Sequence, residues 1–86
     1  MKTGDRVFEV IPAHDKLQYY TIVQKVRGGI MLHNEEDGSV FKTTRNSFEY
    51  FYPATEENIA NGRLLLLYMV EVIKIKLKME TLNDKI

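Results

Sequence analysis

The sequence has no cysteine, only two prolines and two histidines, and no net charge. Without cysteine, disulfides, thiolate catalysis and cysteine zinc sites are excluded. That composition is compatible with a reducing compartment, and a cytoplasmic protein is expected. Two histidines leave few means for acid–base work. No phosphate loop, dinucleotide fingerprint, metalloprotease motif or nucleophile elbow is present either. Enzyme activity is therefore not expected, and no cofactor or metal is implied. Twelve basic residues cancel twelve acidic ones, seven against seven in residues 1–54 and five against five in 55–86. A generic binder of phosphate backbones would show net positive charge instead. The apolar run at residues 64–70 has seven members, bounded by Arg63 and Glu71, whereas a membrane span needs about 20. The opening MKTGDRVFEV has no apolar h-region, so a signal peptide is not expected.

What is present divides in two near Pro53. Residues 1–52 hold eight of the nine aromatics and four of the five glycines, while residues 55–86 are rich in Leu, Lys, Glu and Met. The expected architecture is α+β, mainly β: a small β unit over 1–53 followed by a C-terminal helix over 54–86. A chain of 86 residues buries a smaller share of its surface than a longer one, and self-association is a common remedy.

Residues 6–11 read as a first strand after the Gly4-Asp5 turn, ended by Pro12. Residues 13–18 read as a polar loop. Residues 19–27, YYTIVQKVR, are the strongest strand pattern, with Tyr20, Ile22 and Val26 expected to point inward. Gly28-Gly29 predicts a tight turn into a strand at 30–34. EEDGS at 35–39 predicts a hairpin loop before a strand at 40–44. FEYFY at 48–52 is a fifth strand or a short irregular aromatic segment. Five short strands with tight turns predict a small barrel or a bent antiparallel sheet. A Gly-Asp opening in GDRV, a long first loop, a central meander and a short last strand resemble an SH3-like barrel over roughly residues 3–53. The resemblance implies a fold and carries no functional residues with it.

In residues 63–86, Leu65, Tyr68, Val72, Ile75, Met79, Leu82 and Ile86 recur at alternating spacings of three and four. That is a heptad seam. Leu66, Val70, Ile73 and Leu77 form a second stripe. Lys76 and Glu80 separate the stripes on one flank; Glu71, Lys74 and Lys78 do so on the other. Thr55 is a suitable N-cap with Glu56-Glu57 in the first turn, although Asn58 leaves a capping box incomplete. Gly62 either ends a short first helix or permits close backbone approach, and continuity is the expectation. A rival exists for 72–80, because IKIKLKME alternates like a strand. The heptad accounts for more residues, so a helix is expected. Continuous from 55 to 83, it would span roughly 43 Å at about 1.5 Å per residue and overhang its own domain.

The sites that could carry chemistry each have a plainer reading. His14-Asp15 is a loop pair with no nucleophile beside it. His33 near Glu35, Glu36 and Asp37 has its acids consecutive in a hairpin tip, whereas calcium loops space their ligands. Tyr19, Phe41, Arg45, Tyr50 and Phe51 are candidates for a groove that would take a peptide or stacked bases, with core packing the alternative for each aromatic. Lys25, Arg27 and Lys42 add basic charge nearby, offset by neighbouring acids. Lys76–Glu80 is an i,i+4 pair of opposite charge.

The reading that follows is a non-enzymatic adaptor or inhibitor. Its head would recognise another protein, and its helix would dimerise it or dock it through Leu65, Tyr68, Val72, Ile75, Met79 and Leu82. The second reading is a small nucleic-acid-binding barrel acting in transcription or RNA handling. Small chains of this design are similar to accessory proteins of phages and bacteria. No membrane partner is expected.

Overall fold

The computed structural model describes the backbone of residues 2–84 and the side chains of residues 2–79. Five strands, β1 (Arg6–Ile11), β2 (Lys16–Val26), β3 (Gly29–Asn34), β4 (Val40–Thr44) and β5 (Tyr52–Pro53), precede one helix, α1 (Glu56–Asp84). The strands form a single antiparallel sheet in the order β4-β3-β2-β1-β5. The sheet bends but does not close, so the bent-sheet form of the expectation is the one observed.

β2 begins at Lys16, inside the stretch read as a polar loop. A 3-10 turn at Pro12–His14 and a left-handed Asp15 (φ 51°) close the connection tightly. Lys16, Leu17 and Gln18 then pair with Ile11, Val10 and Glu9. A second correction concerns Val26. The β2–β3 register slips between Ile22 and Gln24, leaving Val23 as an extra residue. Such a bulge shifts the alternation beyond it. Val26 therefore shares a face with Met31 and Gln24, not with Tyr20 and Ile22. The aromatic segment divides too: Ser47–Tyr50 is a 3-10 turn, and only Tyr52–Pro53 pairs with β1. Pro53 is tolerated because β5 lies on the sheet edge.

Val7 and Phe8 are consecutive in β1, point to opposite faces, and are both fully buried. The sheet is therefore covered twice. On one face Val7, Tyr20, Ile22, Leu32 and Phe51 form the core, with Ile30, Phe41 and Phe48 against it. On the other, Phe8 packs beside Tyr19 and Tyr52 and beneath α1. The helix is continuous through Gly62, and residues 73–80 lie within it, not in a strand. Thr55 caps it: its Oγ1 accepts the Asn58 N–H at 3.1 Å, and the Asn58 side-chain amide donates to the Pro53 carbonyl at 3.0 Å. The missing capping-box acid is thus replaced by an amide that ties the helix start to β5.

Gly62 explains how the helix sits so low. A Cβ at this position would lie 2.7 Å from Phe8 Cε2, well inside contact distance. Below that point Leu66 is buried, and Ile59, Met69 and Val70 are partly covered. From residue 71 to residue 79 every side chain is exposed. The helix has left its own sheet, and the molecule measures 53 × 26 × 23 Å. No helix among the described residues is long and apolar enough to cross a membrane.

Candidate association surface

The seam lies on α1 beside the sheet-facing stripe. Leu65 and Val72 are each 43% exposed, Ile75 57%, Met79 59% and Tyr68 69%. At about 100° per residue, the centre of this seam is turned roughly 120° from the line through Gly62 and Leu66 that meets the sheet. The two apolar stripes therefore behave differently. Leu66 and Val70 are satisfied by the sheet, and their continuation, Ile73 and Leu77, runs past its edge with both residues exposed. Leu82 continues the seam in sequence, but its side chain, Ile86 and the Lys76–Glu80 pairing lie outside the described side chains. Glu71 instead approaches Lys74 at 3.5 Å, with both groups exposed. A pair of that kind contributes little.

At its N-terminal end the seam runs into a groove between helix and sheet. This groove, of about 240 Å³, is lined among others by Phe8, Val10, Tyr52, Asn61, Gly62 and Leu65. Its floor is apolar, and Leu65 belongs to both groove and seam. Sequence reasoning read residues 6–11 as a strand but did not connect Phe8 and Val10 with the helix. The available signal was Gly62, a helix-interior glycine that costs about 1 kcal/mol relative to Ala and so calls for a packing reason.

The five residues read as a candidate groove are divided between the two faces of the sheet and the turns that follow β4. Phe41 and Phe51 pack edge-on against Tyr20, with ring centroids 5.5 and 5.1 Å away. Phe51 is buried in the core. Tyr19 lies on the opposite face, against Phe8 and under the Arg6 guanidinium at 4.0 Å. Tyr50 and Arg45 are exposed at the 3-10 turn and the turn before it.

The charged clusters are occupied locally. Arg6 Nε donates to both Glu35 carboxylate oxygens at 3.1 and 2.9 Å, which raises the guanidinium above its ordinary value. Lys16 Nζ donates to Glu36 Oε2 at 2.5 Å. The Asp37 carboxyl is held below its ordinary value chiefly by the Ser39 hydroxyl and amide, which both donate to it. Asn34 Oδ1 accepts from the Glu36 and Asp37 amides and from the buried Gln18 side chain. These acids thus build the hairpin tip. His14 is exposed in the first 3-10 turn and His33 is half-buried in β3. Among the described residues no group of three His, Cys, Asp or Glu side chains could hold a metal ion.

Comparison with protein-family models, with characterised proteins and with solved structures yields no match to this chain. Function has to be argued from the surface itself.

Proposed function

We propose that the protein is a non-enzymatic adaptor, with the bent sheet as a recognition head for another protein and α1 as the element that holds two copies together. The observation carrying this reading is the exposed heptad seam from Leu65 to Met79 on a helix that outruns its own domain. Contiguous apolar surface of this kind marks an interaction site, and a seam repeating every 3.5 residues is complementary to a copy of itself. The strand order β4-β3-β2-β1-β5, closing on a short edge strand after a 3-10 turn, supports an SH3-like head. The balance of charge within each half suits a protein partner, and a cysteine-free chain suits the cytoplasm.

The test is the double substitution Val72→Asp/Ile75→Asp. It is expected to convert a dimer, measured by light scattering at micromolar concentration, into a monomer whose β-sheet signal in circular dichroism is unchanged. A parent chain that is already monomeric, or a dimer indifferent to both aspartates, contradicts the reading. A salt-sensitive gel shift with nucleic acid would favour the second reading instead.

A further inference from the structure

Resting on the reading of the sheet as a recognition head, we infer that the head takes an acidic, extended segment of another protein, added as a further strand along β4. The sheet has two edges, and they are built differently. β5 is two residues long and contains Pro53, whose carbonyl accepts from the Thr55 backbone and the Asn58 side chain. Short length and proline are ordinary means of closing an edge. β4 has neither. It runs five residues, VFKTT, with no proline and an unbroken register against β3.

The ladder decides which backbone groups of β4 are free. The Asn34 N–H donates to the Ser39 carbonyl at 2.8 Å. Bonded pairs alternate along an antiparallel ladder, so Leu32 with Phe41 and Ile30 with Thr43 are the next ones. Val40 and Lys42 therefore turn their N–H and C=O groups away from β3. No backbone bond from outside the sheet reaches them among the described residues. The turn after β4 is tied to the strand's far end, where Thr44 Oγ1 accepts the Ser47 N–H at 3.2 Å. α1 packs on β1, β2 and the first 3-10 turn, at the other side of the sheet. An open row of this kind is a template for strand addition.

Charge names the occupant. The acids of the β3–β4 hairpin tip are held by Arg6, Lys16 and Ser39. At the opposite end of the sheet Val26, Gly29 and Thr44 lie in one row. Lys25, Arg27, Lys42 and Arg45 all fall within two residues of that row, and all four are exposed. None of them makes an ion pair among the described residues, and Glu49, the acid that follows Arg45 in the chain, does not join them. An acid on the added strand would face Lys42 across the edge, and a further one would reach Arg45. Opposite charges so placed stabilise strand pairing, and like charges oppose it. A second copy is the poorer occupant, because its own VFKTT offers no acid in any register. Phe41, partly buried against the core, lies beside Lys42 on the other face of β4 and offers an apolar neighbour to the alternate residues. The segment that fits therefore alternates acidic and apolar side chains.

The probe is a fluorescent peptide of about eight residues alternating Glu and Val, titrated into the full-length chain and followed by anisotropy. Binding is expected, and the Val40 and Lys42 amides should gain protection from hydrogen exchange. Lys42→Glu is expected to weaken binding about tenfold and to accept a Lys/Val peptide instead. Val40→Pro removes an outward N–H without touching the β3 ladder and gives a comparable loss if the charge reversal disturbs folding; circular dichroism checks both. Of two peptides N-methylated on alternate residues, the one blocked on the edge that faces β4 is expected to lose binding. Undiminished binding of both, or equal binding of a single-stranded oligonucleotide of the same charge, means attraction without a ladder and overturns the proposal. So does an unaltered affinity in both folded variants, or no binding to the parent at millimolar peptide. In each of these cases a parent dimer that Val72→Asp/Ile75→Asp dissociates keeps the adaptor reading. A monomeric parent removes that reading whatever the peptide does.

Discussion

Tyr20 does two jobs with the two ends of one side chain. Its ring fills the core between Phe41 and Phe51, while its hydroxyl donates to Glu9 Oε1 at 2.5 Å. Burial holds the phenol well above its ordinary value of 10, and the Glu9 carboxylate adds to the effect. A group whose folded-state pKa is raised stabilises fully below its unfolded value. That contribution is then lost as pH rises from about 10. Tyr20→Phe is expected to cost about 1 kcal/mol near neutrality through the lost hydrogen bond, and to flatten the decline in stability above pH 10. Urea titrations of both proteins at neutral and alkaline pH check this; an equally steep alkaline loss in the variant would assign the decline to another group. The inward position of Tyr20 was legible from strand alternation. Its bond to Glu9 was not, because cross-strand register depends on where β2 begins, and the tight Asp15 turn moved that start.

The helix is where local preference and packing disagree most openly. Gly62→Ala would add about 1 kcal/mol of helix propensity. The same methyl would lie 2.7 Å from Cε2 of the buried Phe8 ring, so that ring would have to shift. Overpacking of this kind costs about 1–3 kcal/mol, so the net expectation is destabilisation by about 1 kcal/mol and a fall in Tm of roughly 4–8 °C. Adding Phe8→Leu should return part of the loss, since contacting sites couple. A Gly62→Ala chain melting at or above the parent would show that packing on Phe8 does not set the height of the helix. Element types were largely legible: β1, β4 and α1 follow from Pro12, the EEDGS loop and the heptad spacing. The FEYFY segment was not resolved between strand and turn, because alternation and aromatic content say nothing about the 3-10 turn that Ser47 begins. The Val23 bulge left no mark that periodicity could read, and so Val26 was assigned to the wrong face. The groove was illegible for a different reason: it is made by residues more than fifty positions apart, which only the height of α1 over Phe8 brings together.

At the scale of the whole molecule the balance is between a small head and a long tail. An 86-residue chain that leaves Val72, Ile75 and Met79 in water forgoes stabilisation it can ill spare. If a second copy covers that surface, folding and association are linked, and Tm must depend on concentration. Each tenfold increase favours the dimer by about 1.4 kcal/mol. The parent is therefore expected to melt several degrees higher across a hundredfold rise in concentration, while Val72→Asp/Ile75→Asp melts at one temperature throughout. The comparison isolates the tail, because both substitutions lie beyond the last residue that the sheet covers. A parent whose Tm is also independent of concentration would mean that the overhang stands uncovered by its own kind. The head would then owe its stability entirely to the two-sided burial around Val7 and Phe8.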